Sequence, residues 1–362
     1  MQKIRRAVSI VFVYENQVFT IVRQNFLRAF PGYTAFPGGK VDKVDERDRL
    51  EDTLLVTLKR EAKEELGIDI DQEVRSNNIK SISQIANATS PAFNPLVFET
   101  YFYRIECTKK FKFRVDENEA AEFGWSDTSS VLQGYNFGKR LIIPPIRLLL
   151  EKLGQEPLFL NHINFDLHRN DDLPTIEPMR NFIQMMPLSN TLPPANRTNA
   201  FIIGDTTKFL VDPSPMNMKE YRKIIDALSS YHIDKIFITH HHADHHQYAP
   251  EIARHFNLPI YISRDSYQRC LAKHGQGYFK DLDVSHPVEG EVVGSWLDSE
   301  VKVIEVPGHD EGHLALAPEN NLWCIVGDLF QGIGTVVVGG EEGNMLKYMN
   351  SLKKIIKLNP KS

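Results

Sequence analysis

Five of the chain's 13 histidines lie in one run of eight residues, Thr239-His240-His241-His242-Ala243-Asp244-His245-His246. Imidazole and carboxylate are the usual ligands of divalent transition metals, so metal binding is the first chemistry this run suggests. Lys235 to Ile238, just before it, reads as a short buried strand, and Gln247 to Arg254, just after it, reads as a helix. The ligands therefore fall on a strand-to-helix loop. His240 and His242 alternate along an extended backbone and point the same way, while Asp244 and His245 turn the corner and can face a second ion. The spacing H-x-H-x-D-H suits two ions better than one.

A second group sits on a predicted helix. Leu54, Leu58, Ala62 and Leu66 recur every four residues as a buried stripe, and Gly67 is a natural C-terminal stop. On the same helix Glu61, Glu64 and Glu65 share an arc of roughly 100°, and neither Lys59 nor Lys63 falls inside it. Crowded carboxylates repel one another unless a hard cation such as Mg²⁺ or Mn²⁺ neutralises them. Upstream, Pro37-Gly38-Gly39 marks a turn where backbone must approach something closely.

These residues need elements to hold them. At 362 residues the chain has room for two domains. It is 42% hydrophobic and 25% charged, with a net charge of −5, so bulk basicity does not advertise nucleic acid. No run approaches the ~18 apolar residues of a membrane span. The opening stretch is interrupted by Glu15, Asn16 and Gln17, which fits two strands and a turn better than a signal peptide. Cys107, Cys270 and Cys324 are far apart in apolar surroundings, as buried thiols of a cytoplasmic protein would be.

Residues 1 to 153 show strand, turn and helix patterns that close with a Pro-initiated helix after Ile143. Residues 154 to 180 break into short polar and proline-rich pieces and read as a connector. In 181 to 362, strands are expected at 181–186, across 200–212 and at 235–239, a helix at 217–228, and a buried strand from Leu322 to Phe330 that ends in Gly327-Asp328. Val306-Pro307-Gly308-His309 holds a histidine rigidly at a strand end, with His313 four residues further on.

The combination of Phe36-Pro37-Gly38-Gly39-Lys40 with Arg60-Glu61-Ala62-Lys63-Glu64-Glu65-Leu66-Gly67-Ile68 resembles the Nudix box, G-x5-E-x7-R-E-U-x-E-E-x-G-U. Its second half matches residue for residue. About seven extra residues separate Gly39 from the helix, and Asp52 stands where the box has glutamate, an insertion that resembles the coenzyme A diphosphatase branch. This resemblance implies an α/β/α sandwich that hydrolyses a nucleoside diphosphate linked to another group, coenzyme A-like or nucleotide-sugar-like. It also implies Mg²⁺ or Mn²⁺ on Glu61, Glu64 and Glu65, with Arg60 orienting them and Glu119 as a base or further ligand. Gly38 and Gly39 form the substrate loop.

The histidine run, Val306 to His313 and Val326-Gly327-Asp328-Leu329-Phe330 together resemble the metallo-β-lactamase superfamily, nearest its endoribonucleases and glyoxalase II thioesterases. The resemblance implies an αββα sandwich, an α/β (α+β) fold overall, with one or two Zn²⁺. His240, His242 and His309 would hold the first ion, Asp244 and His245 the second, and Asp328 would bridge. Asp212 would organise the ligands, Asp244 would take part in catalysis, and His241, His246 and His313 would stand behind the ligands or on the surface. Relatives carry a last histidine on a strand after the helix seen here at 344–357. None follows His313, so the resemblance implies a sandwich lacking its last strand and helices, and a weaker second ion. The implied partners are a small nucleotide diphosphate for the first domain and RNA or a thioester for the second. Alternatives are a chain in which only the second domain turns over, the first merely binding nucleotide, and a non-catalytic nucleotide- and metal-sensing module.

Overall fold

A computed structural model describes residues 4–27, 29–91, 97–166, 173–332, 334–340 and 342–361. The chain divides into two compact units, Met1–Asp172 and Leu173–Ser362.

The first unit is built on one sheet with the strands β1 (Ile4–Tyr14), β2 (Gln17–Arg23), β3 (Tyr33–Ala35), β4 (Ile79–Thr89), β5 (Val97–Cys107), β6 (Ala120–Asp127), β7 (Leu141–Ile142) and β8 (Ile163–Asp166). Their order is β7-β3-β2-β1-β5-β4-β8, with β6 also paired to β2. Side chains alternate across a strand, so the buried, largely apolar run of β1 from Val8 to Val13 serves both faces. Val8, Ile10 and Phe12 pack under α1 (Leu50–Leu66), against Leu54, Leu58, Ala62 and Leu66. Val11 and Val13 pack on the other face with Val131 and Tyr135 of α3 (Thr128–Asn136) and Ile146, Leu149 and Leu150 of α4 (Pro144–Gln155). A short α2 (Ile70–Arg75) follows α1. The expected helix–sheet–helix sandwich is the result, and Gly67 caps α1 at φ 67°.

The second unit has two sheets. The larger contains β9 (Thr175–Met179), β10 (Phe182–Met185), β11 (Ala200–Ile203), β12 (Phe209–Val211), β13 (Lys235–Ile238), β14 (Ile260–Ile262) and β15 (Val284–Ser285), in the order β15-β14-β13-β12-β11-β10-β9. One face packs against α5 (Met218–Leu228), α7 (Ala249–Phe256) and α8 (Arg264–His274), with α6 (Ala243–His246) a single turn before α7. Towards the small sheet of β16 (Val292–Trp296), β17 (Ser299–Glu305) and β18 (Leu314–Pro318), Phe182 meets Trp323, which packs on Trp296, and Gly294 leaves room for Phe209. The last helix, α9 (Met345–Leu358), puts Ile355 into a cluster with Val306, Ala315 and Leu329.

Three expectations are corrected. The segment 154–180, read as a connector, supplies β8 to the first sheet and β9 to the second. The stretch 200–212 is a hairpin, because Gly204 at φ 119° turns the chain between β11 and β12. Leu322 to Phe330 is not a strand. Only Ile325 pairs, with Leu316, and Gly327 at φ 51° then curls Gly327–Leu329 into one 3₁₀ turn.

Candidate active sites

Neighbouring parallel strands β12 and β13 end together, and their C-terminal ends open the larger site. Asp212, just past β12 at φ 47° and 3% exposed, accepts the Thr239 N–H at 2.8 Å and the Thr239 hydroxyl at 2.7 Å. It also accepts His245 Nδ1–H at 2.8 Å. One buried carboxylate therefore fixes the start of the histidine loop and its far corner.

The tautomers follow from the partners. The Thr239 hydroxyl proton is committed to Asp212, so its oxygen accepts His240 Nδ1–H at 3.0 Å, leaving Nε2 of His240 a lone pair. His309 donates Nδ1–H to the Val337 carbonyl at 2.7 Å, leaving its Nε2 free, and His242 Nε2 faces Glu342 Oε2 at 3.2 Å, leaving its Nδ1 free. These three lone pairs converge. His240 Nε2 is 3.1 Å and His309 Nε2 3.0 Å from His242 Nδ1. Three acceptors cannot share that space without a cation between them, and three imidazole nitrogens are a donor set suited to zinc. Burial, with the neighbouring imidazoles, pushes His240 well below the ordinary histidine value. Burial also lowers His242 against the pull of Glu342. Both rings are thus neutral, as metal binding by imidazole requires.

A second set adjoins the first. His245 Nε2 is buried, makes no hydrogen bond of good geometry, and faces Asp328 Oδ1 at 3.2 Å and Asp244 Oδ2 at 3.9 Å. With Nδ1–H given to Asp212, two acceptors meet, and a proton or a metal must separate them. Burial disfavours charge on His245, yet Asp212 and Asp328 outweigh it and raise its pKa. Asp328 in turn, despite burial, is held well below the carboxylate range by His245, His309 and His313. Its Oδ2 is 3.8 Å from His309 Nε2, so Asp328 spans the two sets, while Asp244 stands at the margin.

The three extra histidines are not surface residues. His241 is in contact with Asp310 and lies 3.2 Å from Glu342. His246 meets the Tyr278 hydroxyl at 2.7 Å. His313 is 1% exposed, with neither ring nitrogen hydrogen-bonded, and packs on His240. Among the described residues it belongs to none of the groups whose ligand atoms converge. Glu342 is a residue the sequence reading missed, since nothing in Gly339-Gly340-Glu341-Glu342-Gly343 announces a site.

In the first unit, the turn at Gly38 and Gly39 approaches α1. A Cβ on Gly39 would lie 2.2 Å from Glu61 Oε1, and Gly38 N–H donates to Glu65 Oε2 at 2.9 Å. The three glutamates are not unpaired. Arg60 reaches Glu64 Oε2 at 2.7 Å and Glu61 Oε1 at 2.9 Å, because a guanidinium at the edge of the arc can fork across it. Its remaining bonds go to Asp45, at 3.0 Å and 2.8 Å, and to the Lys40 carbonyl at 2.8 Å. Asp45 is 1% exposed, whereas Asp52 lies in the exposed first turn of α1. Asp45 therefore takes the position assigned to Asp52. Counting the five-residue gap of the box forward from Gly39 lands on Asp45, a signal that counting back from Arg60 hides. Burial raises the Glu65 carboxyl to about 7, with Glu61 and Glu119 adding to it and Gly38 N–H opposing, so Glu119 lies within electrostatic reach. Burial raises Glu61 as well. Hard carboxylates, two of them strained towards protonation, fit a Mg²⁺-like cation.

The three thiols carry no part in this. Burial pushes Cys107, Cys270 and Cys324 up to about 12. No helix among the described residues is long and apolar enough to cross a membrane.

Comparison with known proteins matches a different family model to each unit. A family model described as the NUDIX domain matches residues 3–144, and one described as the metallo-beta-lactamase superfamily matches residues 193–361. A protein named hydroxyacylglutathione hydrolase from Pectobacterium atrosepticum is 35% identical over 154 residues, 41% of this chain and 52% of that protein. One named beta-lactamase-like protein 2 homolog, from Caenorhabditis elegans, is 32% identical over 171 residues, 45% of this chain and 52% of that protein. The chain thus spans about half the length of these curated relatives. Among solved structures, a NUDIX hydrolase from Alicyclobacillus acidocaldarius is 21% identical, covering 43% of this chain and 94% of that one, with a TM-score of 0.38. Residues 3–144 thus form a NUDIX domain and residues 193–361 a metallo-beta-lactamase superfamily domain, and both families are metal-dependent hydrolases.

Proposed function

We propose that the chain is a fused hydrolase, with the units Met1–Asp172 and Leu173–Ser362 as its two catalytic domains. In the second domain His240, His242 and His309 hold one Zn²⁺. Asp244, His245 and Asp328 would hold another, and Asp212 keeps His245 and Thr239 in place. The observation that carries this reading is the convergence of His240 Nε2 and His309 Nε2 on His242 Nδ1, at 3.1 Å and 3.0 Å, each ring with its other nitrogen engaged. Zinc supplies Lewis acidity and a water of lowered pKa. A thioester is the substrate class best supported, since several curated relatives are named hydroxyacylglutathione hydrolase, and this favours it over RNA.

The first domain hydrolyses a nucleoside diphosphate linked to another group. Glu61, Glu64 and Glu65 hold Mg²⁺ or Mn²⁺, whose role is to neutralise the diphosphate and activate water. Arg60, anchored by Asp45, sets the glutamate rotamers, the Gly38-Gly39 turn receives substrate, and Glu119 acts beside Glu65 as base or further ligand.

The test uses purified full chain on acyl-glutathione thioesters, read as thiol release, and on nucleoside diphosphate derivatives, read as nucleotide release. Glu64→Gln should cut only the second activity and Asp244→Ala only the first, each by about a hundredfold or more, the scale of a lost catalytic group. Diphosphate hydrolysis intact in Glu64→Gln, or thioester hydrolysis intact in Asp244→Ala, would show the assignment for that domain to be wrong.

A further inference from the structure

The histidine ligands are held from two sides. Thr239 and Asp212, on the sheet, engage His240 and His245. The partners of His242 and His309 come instead from the glycine-rich segment between the Gly327–Leu329 turn and α9, through Glu342 and the Val337 carbonyl. Glu342 is the carboxylate among these partners, and it uses both oxygens. Oε2 faces His242 Nε2 at 3.2 Å and Oε1 faces His241 Nε2 at 3.2 Å. His241 is itself in contact through Nδ1 with Asp310, which is fully buried and pinned by Gly312 N–H at 2.7 Å. The result is a chain of contacts running from Asp310 through His241 and Glu342 to His242, whose far nitrogen joins the convergent trio.

We propose that Glu342 is a positioning residue for the metal ligand His242, holding its ring so that Nδ1, and not Nε2, is the free lone pair. The inference rests on the reading of His240, His242 and His309 as ligands of one ion. The same four groups contain the donors of a separate metal site. Each imidazole nitrogen on that side already faces a carboxylate oxygen, however, and the Arg269 guanidinium lies 3.8 Å from Glu342, where a further cation would be repelled. Glutamine at 342 has one accepting oxygen and cannot serve both histidines, so either His242 or His241 loses its partner.

The experiment measures the first Zn²⁺ dissociation constant of the metal-free full chain by chelator competition, together with the d–d absorption of the Co²⁺-loaded protein. Glu342→Gln should weaken the first ion by about 10–100-fold, the usual cost of removing a group that orients a ligand, and shift the Co²⁺ bands. Glu319→Gln, which removes the same charge from an exposed pair with Lys302, should do neither. If His242→Ala weakens the ion and Glu342→Gln changes neither affinity nor spectrum, Glu342 has no positioning role. Loss of one whole equivalent of metal in Glu342→Gln, with the first ion's affinity intact, would make Glu342 a ligand of a separate ion and overturn the proposal. Unchanged binding in His242→Ala would instead overturn the underlying metal-site reading.

Discussion

Glu65 is the residue whose environment makes the sharpest demand. Burial holds its carboxyl at about 7 in the metal-free fold, against the ordinary 4.5. The folded chain therefore grips this proton more tightly than the unfolded chain does. The stability this group contributes is present below about 4.5 and is lost as pH rises through about 7, unless a cation takes the proton's place. Mn²⁺ binding at pH 7 should accordingly release protons, seen by calorimetry in buffers of different ionisation enthalpy, and Glu65→Gln should abolish that release. Equal proton release in wild type and variant would mean that Glu65 is not displaced onto metal. Asp45 makes a second demand. Asp45→Asn leaves Arg60 without its buried anchor and should lower kcat for diphosphate hydrolysis by about 10–100-fold, with Glu61 and Glu64 unchanged in sequence. An unaltered kcat would reduce Asp45 to a loop cap. At this scale the sequence brought forward the histidines and Asp328 whose donor atoms the fold gathers, because they sit in short motifs. It concealed Arg60's forked pairing, Asp45 and Glu342, because those depend on which distant backbone delivers an oxygen.

Elements deliver these side chains, and their legibility varied with the length of their pattern. The run of β1 and the four-residue stripe of α1 are long and periodic, and both form as expected. Leu322 to Phe330 is equally apolar and yet not a strand. An apolar run says only that a segment is buried, and here one pairing with Leu316 and a left-handed Gly327 leave it as a turn. Gly308 is more informative than its motif suggested. It sits at φ 133°, and a Cβ there would lie 2.1 Å from Tyr348 N at the start of α9. Gly308→Ala should therefore push α9 off the His309 loop and destabilise the second unit by about 1–3 kcal/mol. Denaturant unfolding followed by tryptophan fluorescence reads this, since Trp296 and Trp323 lie buried in that unit. An unshifted midpoint would contradict so close an approach.

For the whole molecule, two domains of metal-dependent hydrolase families occupy one chain, with separate sheets, separate cores and candidate ligand sets of different hardness. Glutamates suit Mg²⁺ or Mn²⁺, and imidazoles suit Zn²⁺. The two-domain fold could be read in advance because each family's motifs recur at several strand and helix ends. Substrates could not, since they are chosen by loops whose shape has no periodicity. The central claim is that His240 Nε2, His242 Nδ1 and His309 Nε2 converge because an ion binds there. Anomalous diffraction at the zinc absorption edge, from crystals of the full chain grown with Zn²⁺, tests it most directly. The expected result is a peak in contact with all three nitrogens, joined at high zinc by a second beside His245 and Asp328. A map with zinc bound elsewhere, and none among those three nitrogens, would contradict it.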